Sequence, residues 1–189
     1  MKFEYSPLSP KQIKDFLEQN NIDALDIREI ENYTVILYQT PTEHGYWRLT
    51  SDQSCRISAS SGSSDNNSDI TKVSVGRSEG GGVKSGQIKF ITIIINDNEI
   101  LEKAERIVVN SGNQKSEELI NRRKGIIISD LGEEGSEELI ITLLDEAGKP
   151  LFSSKLQGID SKVTDIINEL KKGNFSRINT ESQSVLNRL

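Results

Sequence analysis

Phe90-Ile91-Thr92-Ile93-Ile94-Ile95 is the stretch on which the fold turns. Five of its six side chains are large and apolar, at both alternating parities. Its length and its β-branched composition make it a strand rather than a piece of helix. Side chains of a strand alternate between two faces, so both faces here are apolar. A strand of this kind needs a covering layer on each side. Ile126-Ile127-Ile128 and Leu139-Ile140-Ile141-Thr142-Leu143-Leu144 repeat the pattern. Two amphipathic helices are available for one cover and a second sheet for the other. A face left uncovered would be an exposed apolar patch and therefore a partner site.

Around this stretch the chain reads as strands separated by turn residues. Ile70–Val75, Gln87–Asn96, Arg106–Asn110, Ser116–Ile120, Gly125–Ser129, Glu138–Asp145 and Leu151–Lys155 are the expected strands of a region spanning 70–157. Gly80-Gly81-Gly82, Ser111-Gly112-Asn113, Gly132 to Gly135 and Glu146-Ala147-Gly148-Lys149 supply turns between them. Upstream, residues 1–60 read as a helix followed by a meander over Ala24–Ile30, Tyr33–Gln39, Tyr46–Thr50 and Cys55–Ala59. The polar run Ser60 to Asp69 reads as a loop and as the internal boundary. Evenly spaced strands of this kind predict a mainly β (α+β) fold, an antiparallel β-sandwich or rolled sheet.

The helices flank the strands. Ser9 is a good N-cap, Pro10 suits the first helical position, and Gln12 completes a capping box. Ile13, Phe16 and Leu17 then share one face. Near the other end, Asp160 precedes Val163, Ile166, Ile167 and Leu170, with Gly173 beyond them. Residues 158–189 therefore read as a second amphipathic helix and a tail, and both helices are expected to pack on the sheet. The three regions are compatible with one compact domain.

Composition removes whole classes of function. The chain has 189 residues, with Lys plus Arg 23 against Asp plus Glu 29 and a net charge of -6. An acidic balance disfavours a nucleic-acid partner, which clustered Lys and Arg would have to hold. One Cys leaves no disulfide within the chain, and one His removes the usual His-pair metal sites. No apolar run approaches a membrane span, and no apolar signal region opens the chain. The expected location is the cytoplasm, with an exported mature domain lacking its signal peptide as the alternative. The Ile, Lys, Asn and Glu content suits a low-GC bacterium or its phage.

Motifs with chemistry fall short one by one. Gly76 to Gly86 resembles a phosphate loop only loosely, since Val83 and not Gly precedes Lys84-Ser85, and a strand follows. Asp65-Asn66-Asn67-Ser68-Asp69 opens like a calcium loop but has Ile70 at the glycine position and Gly76 at the final acidic one. The acidic cluster Asp130 to Glu138 reads as a solvated turn. Arg122-Arg123-Lys124 reads as a hairpin turn. His44 and Cys55 would be the only Cys–His pair. No catalytic residue, metal site or cofactor is expected.

Tyr33, Tyr38, His44, Tyr46 and Trp47 form the one uneven cluster. Tyr and Trp carry interface hot spots, which makes these the candidate binding residues. Their competing explanation is cross-strand packing. The expected function is a non-enzymatic interaction or binding module of the accessory, inhibitor or immunity type, with a protein partner or a second copy. The alternative is a small hydrolase or ligand-binding protein with a site near the His44 turn and the Gly80–Gly86 loop.

Overall fold

The computed structural model describes residues 5–65, 71–81, 87–112, 114–129 and 138–157. The expected C-terminal helix and tail lie outside these residues, as do the tip of the Gly-rich segment and most of the acidic cluster at 130–138. The described chain is mainly β, in three antiparallel sheets with two short helices. The first sheet joins β1 (Ala24–Ile30), β2 (Tyr33–Gln39), β3 (Glu43–Ser51) and β4 (Ile57–Asp65) in sequence order. β5 (Val73–Gly81), β6 (Gln87–Ile95) and β9 (Gly125–Ile128) make the second, in the order β5-β6-β9. The third sheet has the order β11-β10-β7-β8, from β7 (Arg106–Ser111), β8 (Gln114–Leu119), β10 (Glu138–Leu144) and β11 (Pro150–Gln157).

The two-faced strand lies at the centre, as its composition requires. β6 runs between β5 and β9, and its side chains divide by parity between two cores. Ile91, Ile93 and Ile95 join Ile126 and Ile128 against Ile107, Val109, Leu139, Ile141 and Leu143 of the third sheet. Phe90, Ile94 and Ile127 face Tyr33, Val35 and Leu37 of the first sheet. The two β-rich stretches of sequence therefore share a core.

Both covers are sheets, which corrects the expectation that helices would supply one. α1 (Pro10–Asn20) packs on the far side of the first sheet, with Ile13, Phe16 and Leu17 against Ile36, Leu49 and Trp47. β2 explains the difference, because it too is apolar on both faces. Its odd positions meet β6, and Ile36 needs a cover of its own. The capping box forms as expected: Ser9 N–H donates to Gln12 Oε1 at 2.9 Å, and Gln12 N–H donates to Ser9 Oγ at 3.4 Å.

Three local expectations change. Ser60 to Asp65 is strand rather than loop, in register with β3 from Glu43↔Asp65 to Ser51↔Ile57. Serine and glycine are poor strand formers, but a ready-made partner edge supplies their backbone hydrogen bonds. Gly76 to Gly81 likewise continues β5 by pairing with β6 as far as Gly81↔Gln87. A helix also forms where strand-to-strand connection was expected, α2 (Asn98–Lys103), capped by Asp97, which accepts the Ile100 N–H at 3.0 Å.

That accepted N–H holds the Asp97 carboxyl below the ordinary carboxylate range, with further help from Lys72 at 3.3 Å. A lowered folded pKa gives stability that is present above the unfolded value and lost as pH falls through the folded one. Asp97→Asn should therefore flatten the acid limb of the stability curve below about pH 4. Thermal melts across the acid range would show this as a reduced difference between low and neutral pH. An unchanged acid limb would contradict it.

Candidate functional site

The first and second sheets are joined at one edge and part at the other. On the joined side, Asp26 sits at a register irregularity of β1 and accepts the Ile127 N–H of β9 at 2.8 Å. Arg28 and Arg123 flank that carboxylate at 3.4 and 3.5 Å. Both arginines also bind Glu118 of β8, Arg123 at 2.8 Å. Both arginines of the run Arg122-Arg123-Lys124 are thereby engaged, Arg122 on Glu105 at 3.1 Å, and the run connects strands of two different sheets rather than closing the expected hairpin.

On the other side a cleft of about 280 Å³ lies between β3–β4 and β5–β6. His44, Tyr46, Gly62 and Ser64 line it from the first sheet, and Ser74, Gly76, Thr92 and Ile94 from the second. Two polar bridges frame it. At one end Tyr46 Oη and Ser78 Oγ are 2.9 Å apart, and the Tyr46 ring meets Phe90 edge-on with centroids 4.9 Å apart. At the other, Gln39 Nε2 donates to Asn96 Oδ1 at 2.9 Å, and Asn96 Nδ2 donates to Ser74 Oγ at 3.0 Å.

Glycines give this region its shape. A Cβ on Gly62 would lie 2.9 Å from the Tyr46 ring, which stacks over the bare backbone of its cross-strand partner. A Cβ on Gly76 would lie 2.7 Å from Thr92 Oγ1. Where a packed sheet interface would interdigitate apolar side chains, these positions offer none.

The five candidate residues separate by strand face. Tyr33 and Tyr46 point to the second sheet, whereas Tyr38 and Trp47 lie on the helix side. Tyr33 and Tyr38 are buried, at 6% and 5% exposure, and offer no surface to a partner. Burial, then the Glu43 carboxylate 3.3 Å from its hydroxyl, raises the Tyr38 phenol above its ordinary value. Trp47 lies under α1, edge-on to Phe16 at 5.5 Å. His44 and Tyr46 alone reach the cleft. Packing within the sheet and under α1 thus accounts for the rest.

The Cys–His idea fails on distance. His44 pairs with Ser64 near one end of β3, while Cys55 is exposed in the turn beyond Ser51↔Ile57 at the other. At about 3.3 Å per strand residue they are on the order of 20 Å apart. Among the described residues no group of His, Cys, Asp and Glu could hold a metal ion. No described helix is long and apolar enough to cross a membrane.

Ser64, Ser74, Gly76 and Thr92 were not foreseen. Thr92 did leave a trace, as the sole polar residue in an otherwise apolar two-faced run. The serines left none: Ser64 lies in a segment that reads as loop, and Ser74 in one that reads as an ordinary strand. Comparison with protein-family profiles, with curated proteins and with solved structures finds no match.

Proposed function

We propose that the protein is a non-enzymatic binding module of the accessory, inhibitor or immunity kind, and that its ligand enters the cleft between the first and second sheets. The supporting observation is the pair of inter-sheet bridges, Tyr46–Ser78 and Gln39–Asn96–Ser74, with a polar cavity between them. A concave cleft between two sheets, with polar groups and an apolar wall converging on it, is the usual form of a small-molecule site. Turnover on this site would need Ser64 as nucleophile and His44, directly opposite it, as base. The described lining offers several hydroxyls for ligand contact, and the reading as a binding site uses all of them where hydrolysis would use one.

A second reading has its own observation. On the outer face of the third sheet, Leu119 is 62% exposed and Ile140 37%. That is where a protein partner or a second copy would find apolar contact.

One titration separates these readings. Amide shifts of the isotope-labelled full chain are followed against a library of small polar compounds, and then against its own concentration. Saturable shifts confined to Gly62, Ser64, Ser74, Gly76 and Thr92 are the expected result. Concentration-dependent shifts at Leu119 and Ile140, with a silent cleft, would transfer the function to the third sheet. Cleavage of an activated ester, lost in Ser64→Ala, would establish the hydrolase instead.

A further inference from the structure

We infer that the cleft takes a small, uncharged, polyhydroxylated molecule, a polyol or a single sugar ring, in preference to an anion or a flat aromatic. The inference rests on the cleft being the binding site and adds the class of its ligand. Three features of the lining carry it.

Besides the His44 imidazole, the polar side chains that face the cleft are hydroxyls. Ser64, Ser74 and Thr92 each donate one hydrogen bond and accept two, which matches a ligand bearing hydroxyls of its own. Among the described residues, the Ser64 and Thr92 hydroxyls make no hydrogen bond and so remain available. Ile94 supplies an apolar wall for the C–H face of such a ligand.

The cleft is poor in charge. Among the described residues no Lys, Asp or Glu lines it. Arg77 belongs to the lining, but it pairs with Ile91, which faces the other core. Strand alternation directs its side chain away from the cleft, and its Nε and Nη1 are buried there. Tight recognition of an anion favours charge-assisted donors aimed into the site; the arginine points elsewhere, which leaves the His44 imidazole as the single side chain of that kind among the described lining residues.

The cleft also lacks a stacking platform. Tyr46 is its aromatic residue, and that ring is taken by Gly62 beneath it and by the edge contact with Phe90. One face of that ring is therefore closed to a planar ligand. The volume, about 280 Å³, is at the small end of ligand sites, which holds the occupant to roughly one ring.

The test uses the full chain and four probes: myo-inositol, glucose, inorganic phosphate and indole. Inositol or glucose should give saturable amide shifts at Ser64, Gly76 and Thr92. Thr92→Val, which removes one hydroxyl at constant shape, should weaken that binding about three- to tenfold. Ser64→Ala, on an exposed edge strand, should weaken it similarly and guards against misfolding of the first variant. Undiminished sugar binding in both variants overturns the proposed contacts. Phosphate or indole saturating the same amides in preference to the sugars overturns the ligand class while leaving the cleft as the binding site. Silence of those amides to all four probes and to the wider library overturns both.

Discussion

Phe90→Ala should lower the stability of the fold by about 3–5 kcal/mol. Phe90 is fully buried in the central strand, where it faces Tyr33, Val35 and Leu37 of the first sheet. Its ring also meets Tyr46 in a T-shaped contact, centroids 4.9 Å apart. Truncation removes the transfer energy of the ring and leaves a cavity between two sheets, whose backbones cannot close over it without breaking register with β5 and β9. Domains of this size are stable by roughly 5–15 kcal/mol, so the loss is a large part of the total. Urea denaturation should show a lower midpoint with little change in slope. A loss below about 1 kcal/mol would mean that the first and second sheets are not packed through this residue. Because Tyr46 leans on Phe90, the variant should also loosen the Tyr46–Ser78 bridge and broaden the amide signals around the cleft.

Asp26→Ala should cost about 2–4 kcal/mol, and Asp26→Asn clearly less. The Asp26 side chain is 10% exposed and accepts the Ile127 N–H, a donor on the outer edge of β9. Alanine leaves that donor without its acceptor and the two arginines with Glu118 alone, whereas asparagine retains a carbonyl oxygen for the amide. The ion-pair share is discounted because Arg28 and Arg123 are each 36% exposed and stay partly solvated. Hydrogen exchange at the Ile127 amide gives the local readout, expected to speed up in the alanine variant and to stay slow in the asparagine one. Equal losses from the two variants would assign the effect to charge rather than to the capped sheet edge.

These two sites differ in how far the sequence announces them. Phe90 belongs to a run whose two apolar parities already demand two covers, so its burial follows from composition alone. Asp26 sits in Leu25-Asp26-Ile27, which reads as ordinary strand alternation. Nothing in the sequence relates it to Ile127, because their hydrogen bond spans 101 residues. The cleft has the same history. Ser64 and Gly76 look like loop residues until strand neighbours supply hydrogen bonds to their backbones. The aromatic cluster is a different case. It is real in sequence, but strand parity splits it between the helix side and the central side, so nearness along the chain did not become a common surface.

Local physics suffices for α1, whose capping box and one-sided apolar face depend on residues within a few positions of each other. It suffices also for the central place of Phe90 to Ile95, since a strand apolar on both sides has no stable position at a surface. Short-range pattern alone therefore requires a mainly β chain with an amphipathic N-terminal helix and a doubly covered strand. Tertiary structure decided what covers that strand, which edge is capped by Asp26 and which stays open, and where hydroxyls from β4, β5 and β6 meet. Those outcomes depend on pairing and register between distant segments, and single-chain alternation fixes which face a residue takes without fixing what it meets there.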